Sequence, residues 1–129
     1  MRDPLLVVTG VLGALGVGLG AFGAHGLKSR LGDSISVWQT ATEYHLIHAV
    51  ALLGVVVLAR ISSDASILRV SGWAFAAGIL AFSGSLYWLA LGGPRWLGPV
   101  TPLGGLAFIL GWSALVVYGV RHGSSGPIG

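Results

Sequence analysis

The chain has 129 residues, 54% of them hydrophobic and 9% charged, with seven Lys and Arg against four Asp and Glu, four His and no Cys. A soluble domain carries about 25% charged residues, so this composition belongs to lipid. The cations are too few and scattered for a nucleic-acid surface, and the lack of cysteine excludes disulfides, thiolate metal sites and thiol catalysis.

Four apolar segments, residues 5–27, 38–59, 67–91 and 103–120, fill almost all of the chain. Each is about 18 to 25 residues long, which at roughly 1.5 Å per residue matches a hydrocarbon core about 30 Å thick. They predict an all-α membrane protein with transmembrane helices over about residues 4–27, 37–60, 66–91 and 102–121, in one domain covering 1–129. The short connections force neighbouring helices to be antiparallel, giving an up-down-up-down bundle.

The first segment opens on Asp3-Pro4, a side-chain acceptor at N-cap followed by proline where no N–H is needed. It is longer than the roughly 7 to 15 residues of a signal-peptide core, so a retained helix is expected. Gly13, Gly16, Gly20 and Gly23 are spaced three, four and three, a seam of small residues that permits close backbone approach in lipid. His25 follows within one turn of the segment's end.

The second segment has cap candidates in residues 33–36 and an interfacial aromatic in Trp38, and it carries Glu43, Tyr44, His45 and His48. His45 and His48 share a face with Ala41 and Leu52, while Glu43 points well away from both, so a carboxylate–histidine dyad within this helix is geometrically poor. The third segment, with cap candidates in residues 64–66, places Ala74, Gly78, Ala81 and Ser85 on one seam and adds Ser83 and Tyr87. The fourth opens on Thr101-Pro102 as cap and first turn, and its seam is Gly104, Ala107, Gly111 and Ala114. Trp112 sits mid-helix, where its indole N–H needs a hydroxyl, histidine or carbonyl partner.

Arg2, Arg60, Arg69 and Arg121 fall on the terminal side and Lys28, Arg30 and Arg95 on the other, which places both termini in the cytoplasm of a bacterial inner membrane or its equivalent. His25, Glu43, His48, Ser83, Ser85 and Tyr87 all come from the membrane half facing away from the termini, and the opposite half reads as nearly pure Val, Leu, Ala and Gly. Intramembrane ionisable residues are functional candidates, but a buried His or Glu also staples helices. The histidines raise a metal or haem alternative without an obvious third ligand or a second histidine at matching depth. Phosphate-binding, dinucleotide and His-Glu-x-x-His patterns are absent, and Ser83 and Ser85 lack a full Gly-x-Ser-x-Gly context. No nucleotide, cofactor or metal is expected.

Several ordered blocks carry a resemblance. They are Gly20-Ala21-Phe22-Gly23-Ala24-His25, Trp38-Gln39-Thr40-Ala41 with Glu43-Tyr44 and His48, Phe82-Ser83-Gly84-Ser85-Leu86-Tyr87, and Thr101-Pro102-Leu103-Gly104-Gly105 with Phe108, Gly111 and Trp112. In these the chain resembles the small YgdD/YwdK-type membrane proteins, a domain-of-unknown-function family found in bacteria and, as a transmembrane protein, in mitochondria. The resemblance implies a four-helix inner-membrane protein and no established activity. His45 lies outside the blocks.

The expected site is one polar pocket or network of His25, Glu43, Tyr44, His48, Ser83, Ser85, Tyr87 and Trp112 within the bundle. The leading function is a non-enzymatic accessory protein that binds lipid, a second copy or a membrane protein partner through its glycine-rich faces. The alternatives are an oligomeric transporter or channel for protons, cations or a small solute, and a redox protein.

Overall fold

The computed structural model describes residues 3–122 and shows an all-α membrane protein. Three helical stretches, Pro4–Ile61, Ser66–Ala90 and Arg95–His122, are long and apolar enough to cross a bilayer. The first, of 58 residues, turns back on itself. Helix α1 (Pro4–Phe22) runs through a π-helical turn (Gly23–Leu27) into the short α2 (Lys28–Leu31), and a 3-10 turn (Gly32–Ser34) leads into α3 (Ile35–Ile61). The reversal falls at Gly32, whose φ of 54° lies in the left-handed region that glycine occupies without penalty. Asp3 meets Arg60 at the open end of this hairpin and Gly23 meets Trp38 near its closed end, so α1 and α3 are antiparallel.

Helix α4 (Ser66–Gly78) continues through a second π-helical turn (Ile79–Ser83) into α5 (Gly84–Ala90), and α6 (Val100–His122) is the last helix among the described residues. Helix α3 packs between α1 and the α4–α5 rod, and that rod packs in turn along α6. Phe75, Leu52, Leu68, Ile79 and Val55 are sealed at the centre. The outside is as apolar as the inside: Val50 is 70% exposed, Leu80 67% and Val120 81%. Such a surface is stable only against hydrocarbon or another protein.

Glycine sets the helix separations. A Cβ at Gly104 would fall on the backbone of Phe82, one at Gly78 on the Phe108 ring, one at Gly23 on the Trp38 ring, and one at Gly111 within 2.5 Å of the Phe75 ring. Gly16 meets Leu46 and His45, and Gly20 meets Thr42. The seam of α1 therefore holds at Gly16, Gly20 and Gly23. It does not extend to Gly13, where nothing lies within 4 Å, because that position has rotated off the α3 contact. On α6 the buried stripe is Gly104, Phe108, Gly111 and Ala114, with Ala107 half-buried beside it.

Several local expectations need correction. The first connection is helical through most of its length, and α3 starts at Ile35. Asp3 caps α1 as expected, accepting the Leu6 N–H at 3.1 Å. Thr101 does not cap α6: the helix begins one residue earlier and the Thr101 hydroxyl lies 2.5 Å from that of Ser85. Ser34, at the α3 N-cap, makes no side-chain cap bond, while Asp64 accepts from both the backbone and the hydroxyl of Ser66. Trp38 is no interfacial marker, being only 3% exposed, whereas Trp73, Trp88 and Trp96 are about half exposed or more.

Two adjacent glycines test this packing. The first Cβ contact at Gly105 is the Phe82 ring at 4.0 Å, against the backbone overlap at Gly104. Gly104→Leu is expected to cost about 3 kcal/mol or more of bundle stability, and Gly105→Leu to leave it close to wild type. Unfolding of both variants in the same detergent checks this, and equal midpoints would refute the Gly104 contact.

Candidate functional site

The buried stripe of α3 is Trp38, Ala41, His45, His48, Leu52 and Val55, spaced three, four, three, four, three. Three of its side chains are polar, and the bundle supplies a partner for each. Trp38 Nε1–H donates to the Leu19 carbonyl at 2.9 Å, and His45 Nε2 lies 2.7 Å from the Leu12 carbonyl. Trp38 and His45 are seven residues apart on α3, and Leu19 and Leu12 are seven apart on α1, so one bond is the other repeated a heptad along the hairpin. A helical carbonyl that already accepts within its helix keeps a second lone pair for such a donor.

The two imidazoles are wired in opposite senses. A carbonyl only accepts, so His45 carries its proton on Nε2 and its Nδ1 accepts from the Tyr87 hydroxyl at 2.8 Å. His48 places Nδ1 2.8 Å from the Tyr44 carbonyl and Nε2 3.0 Å from the Trp112 indole N–H. The indole only donates, so His48 Nε2 is unprotonated and Nδ1 holds the hydrogen. The His48 ring also stacks on Phe108 with centroids 3.7 Å apart, and Trp112 meets Phe75 edge-on.

The serines are staples of the same kind. Ser83 donates to the Ala41 carbonyl at 2.7 Å, Ser85 donates to its own helix at Phe82 and pairs with Thr101, and Ser71 donates to the Gly111 carbonyl at 2.8 Å. Interhelical bonds of this type are worth about 0.6 kcal/mol each on average in membrane proteins. Among the described residues no buried side-chain nitrogen or oxygen is left without a partner.

The expected site residues therefore separate. His48, Trp112, Tyr44 and Phe108 form one cluster; Tyr87 joins His45 instead; Ser83 and Ser85 bond to backbone and to Thr101. His25 and Glu43 lie exposed on the outer surface. Sequence reasoning undervalued His45, which is 2% exposed, although its place on the heptad stripe with Trp38 and His48 marked it. It also missed Ser71 and Thr9, both buried in the half of the bundle expected to be purely apolar. No three His, Asp or Glu side chains among the described residues lie close enough to hold a metal ion.

Two lateral clefts open between helices. One, of about 610 Å³, is walled by Tyr44, Phe82, Phe108 and Trp112 with His48 at its back. The other, of about 410 Å³, lies between the first helices and α3, where Gly20, Gly23 and Ala24 face Gln39, Thr42 and Glu43. Glu43 makes no hydrogen bond or ion pair among the described residues.

Residues 19–105 match the family model described as "Protein of unknown function (DUF423)". The chain belongs to that family. It is 44% identical over 120 residues to the UPF0382 membrane protein YwdK of Bacillus subtilis, covering 92% of this chain and 98% of the relative. It is 47% identical over 116 residues to a UPF0382 membrane protein of Staphylococcus epidermidis, covering 88% and 93%. The resemblance drawn from the sequence blocks holds. No solved structure matches the chain.

The wiring of the imidazoles predicts opposite neutral tautomers, with His45 protonated at Nε2 and His48 at Nδ1. Nitrogen-15 spectra of histidine-labelled protein in lipid distinguish the two; matching tautomers would refute the assignment. Tyr87→Phe leaves His45 Nδ1 unsatisfied and is expected to cost about 1 to 3 kcal/mol.

Proposed function

We propose that this DUF423 chain crosses the inner membrane four times with both termini cytoplasmic, and acts as a non-enzymatic accessory protein that binds a membrane helix of a partner in the cleft beside Glu43. The observation that carries the reading is the position of that carboxyl. Glu43 is five residues from His48, the midpoint of α3, or about 7.5 Å along the axis, well inside a hydrocarbon half-thickness of about 15 Å. It is exposed there. A carboxyl facing lipid at that depth is costly, and a donor from a partner helix offsets that cost.

The cleft's chemistry supports a helix as the occupant. Gly20, Gly23 and Ala24 allow a backbone to approach closely, and Gln39, Thr42 and Glu43 offer hydrogen bonds along one side. Small residues with polar ones are what associate helices in lipid, where no hydrophobic force acts between them. The core favours binding over catalysis or proton relay, because the ring nitrogens of His45 and His48 are each committed to a structural partner.

The absence of cysteine makes single-cysteine tests clean. Cysteines at Ser63 and Arg95 are expected to label from opposite membrane faces, and labelling from one face refutes four crossings. A photo-crosslinker at Gln39 in native membranes is expected to trap one discrete partner, whether a second copy or another protein, and Glu43→Leu to abolish the adduct. The same crosslinker at Val116 on α6 serves as control. Adducts that survive Glu43→Leu, or appear equally at Val116, overturn the docking site.

A further inference from the structure

At the opposite end of the bundle, where α1 and α4 begin and α3 ends, a third cleft of about 480 Å³ contains Asp3, Leu5, Val56, Arg60, Arg69 and Trp73. We propose that this cleft holds an anionic phospholipid, its phosphate between Arg60 and Arg69 and an acyl chain along Leu5, Val56 and Trp73. This goes beyond the helix-docking reading and uses none of its residues.

The cleft has the polarity gradient of a lipid. Arg69 and Trp73 are four residues apart on α4, so the backbone of Trp73 lies about 6 Å further into the bundle than that of Arg69. Trp73 is 48% exposed, as suits a ring at headgroup level. Beside it the wall is aliphatic: Leu5 packs against Gly72, and Val56 belongs to the buried core. A free phosphate has no use for that wall, whereas an acyl chain does.

The charge is complementary and partly unspent. Two guanidinium groups face one carboxylate in the cleft. Arg60 gives Nε and one terminal nitrogen to Asp3 Oδ2, at 3.3 and 3.1 Å, and its side chain is 60% exposed, so further N–H groups remain available. Asp3 is itself occupied: the Leu6 N–H, with Arg60 beside it, holds its carboxyl below the usual range. Arg69 is exposed and its side chain makes no hydrogen bond among the described residues; the nearby Asp64 carboxylate feels its charge but is held by the backbone and hydroxyl of Ser66, so the side-chain N–H groups of Arg69 stay open. Two arginines lining one cleft can give a phosphodiester charge-assisted hydrogen bonds from both sides.

The test is native mass spectrometry of the full chain in detergent with equimolar phosphatidylglycerol and phosphatidylcholine. Wild type is expected to retain phosphatidylglycerol preferentially, and the double variant Arg60→Gln, Arg69→Gln to bind it about 25-fold more weakly, at about fivefold per arginine. Arg121→Gln, at the same end but outside the cleft, is expected to bind as wild type. The Asp3–Arg60 pair is exposed and contributes little to stability, so an unchanged melting midpoint confirms a folded variant. Equal retention by wild type and the double variant overturns the proposal, and so does an equal loss in Arg121→Gln. Binding of inorganic phosphate with the same arginine dependence, but no preference between the two lipids, identifies a free-anion site and also overturns it.

Discussion

Hydrocarbon offers a buried donor no substitute partner, and the whole bundle is arranged under that constraint. Every helix of this chain has second lone pairs on its carbonyls, and the neighbouring helices aim side-chain donors at them: Trp38 at Leu19, His45 at Leu12, Ser83 at Ala41 and Ser71 at Gly111. These side chains are short or rigid, so the bonds form only when two helices come close. That is why the polar staples and the glycine seams occupy the same stretches. Gly16 and Gly23 bring α1 down onto His45 and Trp38, and Gly104 brings α6 onto the turn of helix that carries Ser83. The glycines make the hydrogen bonds possible, and the hydrogen bonds set the register that the glycines alone would leave free to slide.

The register of the α1–α3 hairpin shows how the two act together. The Trp38 and His45 bonds repeat at one heptad, so a slip of one residue would break both and press the indole against a larger side chain than Gly23. The two π-helical turns fall where the approach is tightest, Gly23–Leu27 beside Trp38 and Ile79–Ser83 beside Gly104. A π turn offsets the rotation of a helix and lets it keep one face toward a neighbour across a long contact.

Much of the architecture was legible in the sequence because lipid imposes length and small-residue spacing so strongly. The apolar segments, the Asp3 cap, the seams on α1 and α6, and the need of Trp112 for a partner such as histidine all follow from single-helix rules. What those rules could not supply was pairing between helices. His48 and Trp112 are 64 residues apart, and no periodicity says which donor on α6 meets which ring on α3. The same limit explains Thr101: as an isolated sequence it reads as a cap, yet the nearby Ser85 hydroxyl claims it. Trp38 was misread for another reason, since a tryptophan near a segment end usually marks the interface, and only the continuous three-four spacing through His45 and His48 assigns it to the buried stripe.

Polar groups in this chain divide into two populations, and the division argues for where function lies. Those inside are satisfied within the chain, which makes the core rigid and chemically quiet. Some of those outside are not: Glu43 is exposed beside a glycine-lined cleft with no side-chain hydrogen bond among the described residues, and Arg69 stands at the rim of an aliphatic one. A staple that merely held the fold would be paired internally, as His45 is. Unspent polarity on a lipid-facing surface has a steady energetic cost, and a partner that supplies the missing charge or donor removes it. The proposed binding at the bundle's outer faces would remove that cost, with the quiet core as the scaffold that holds those faces in place.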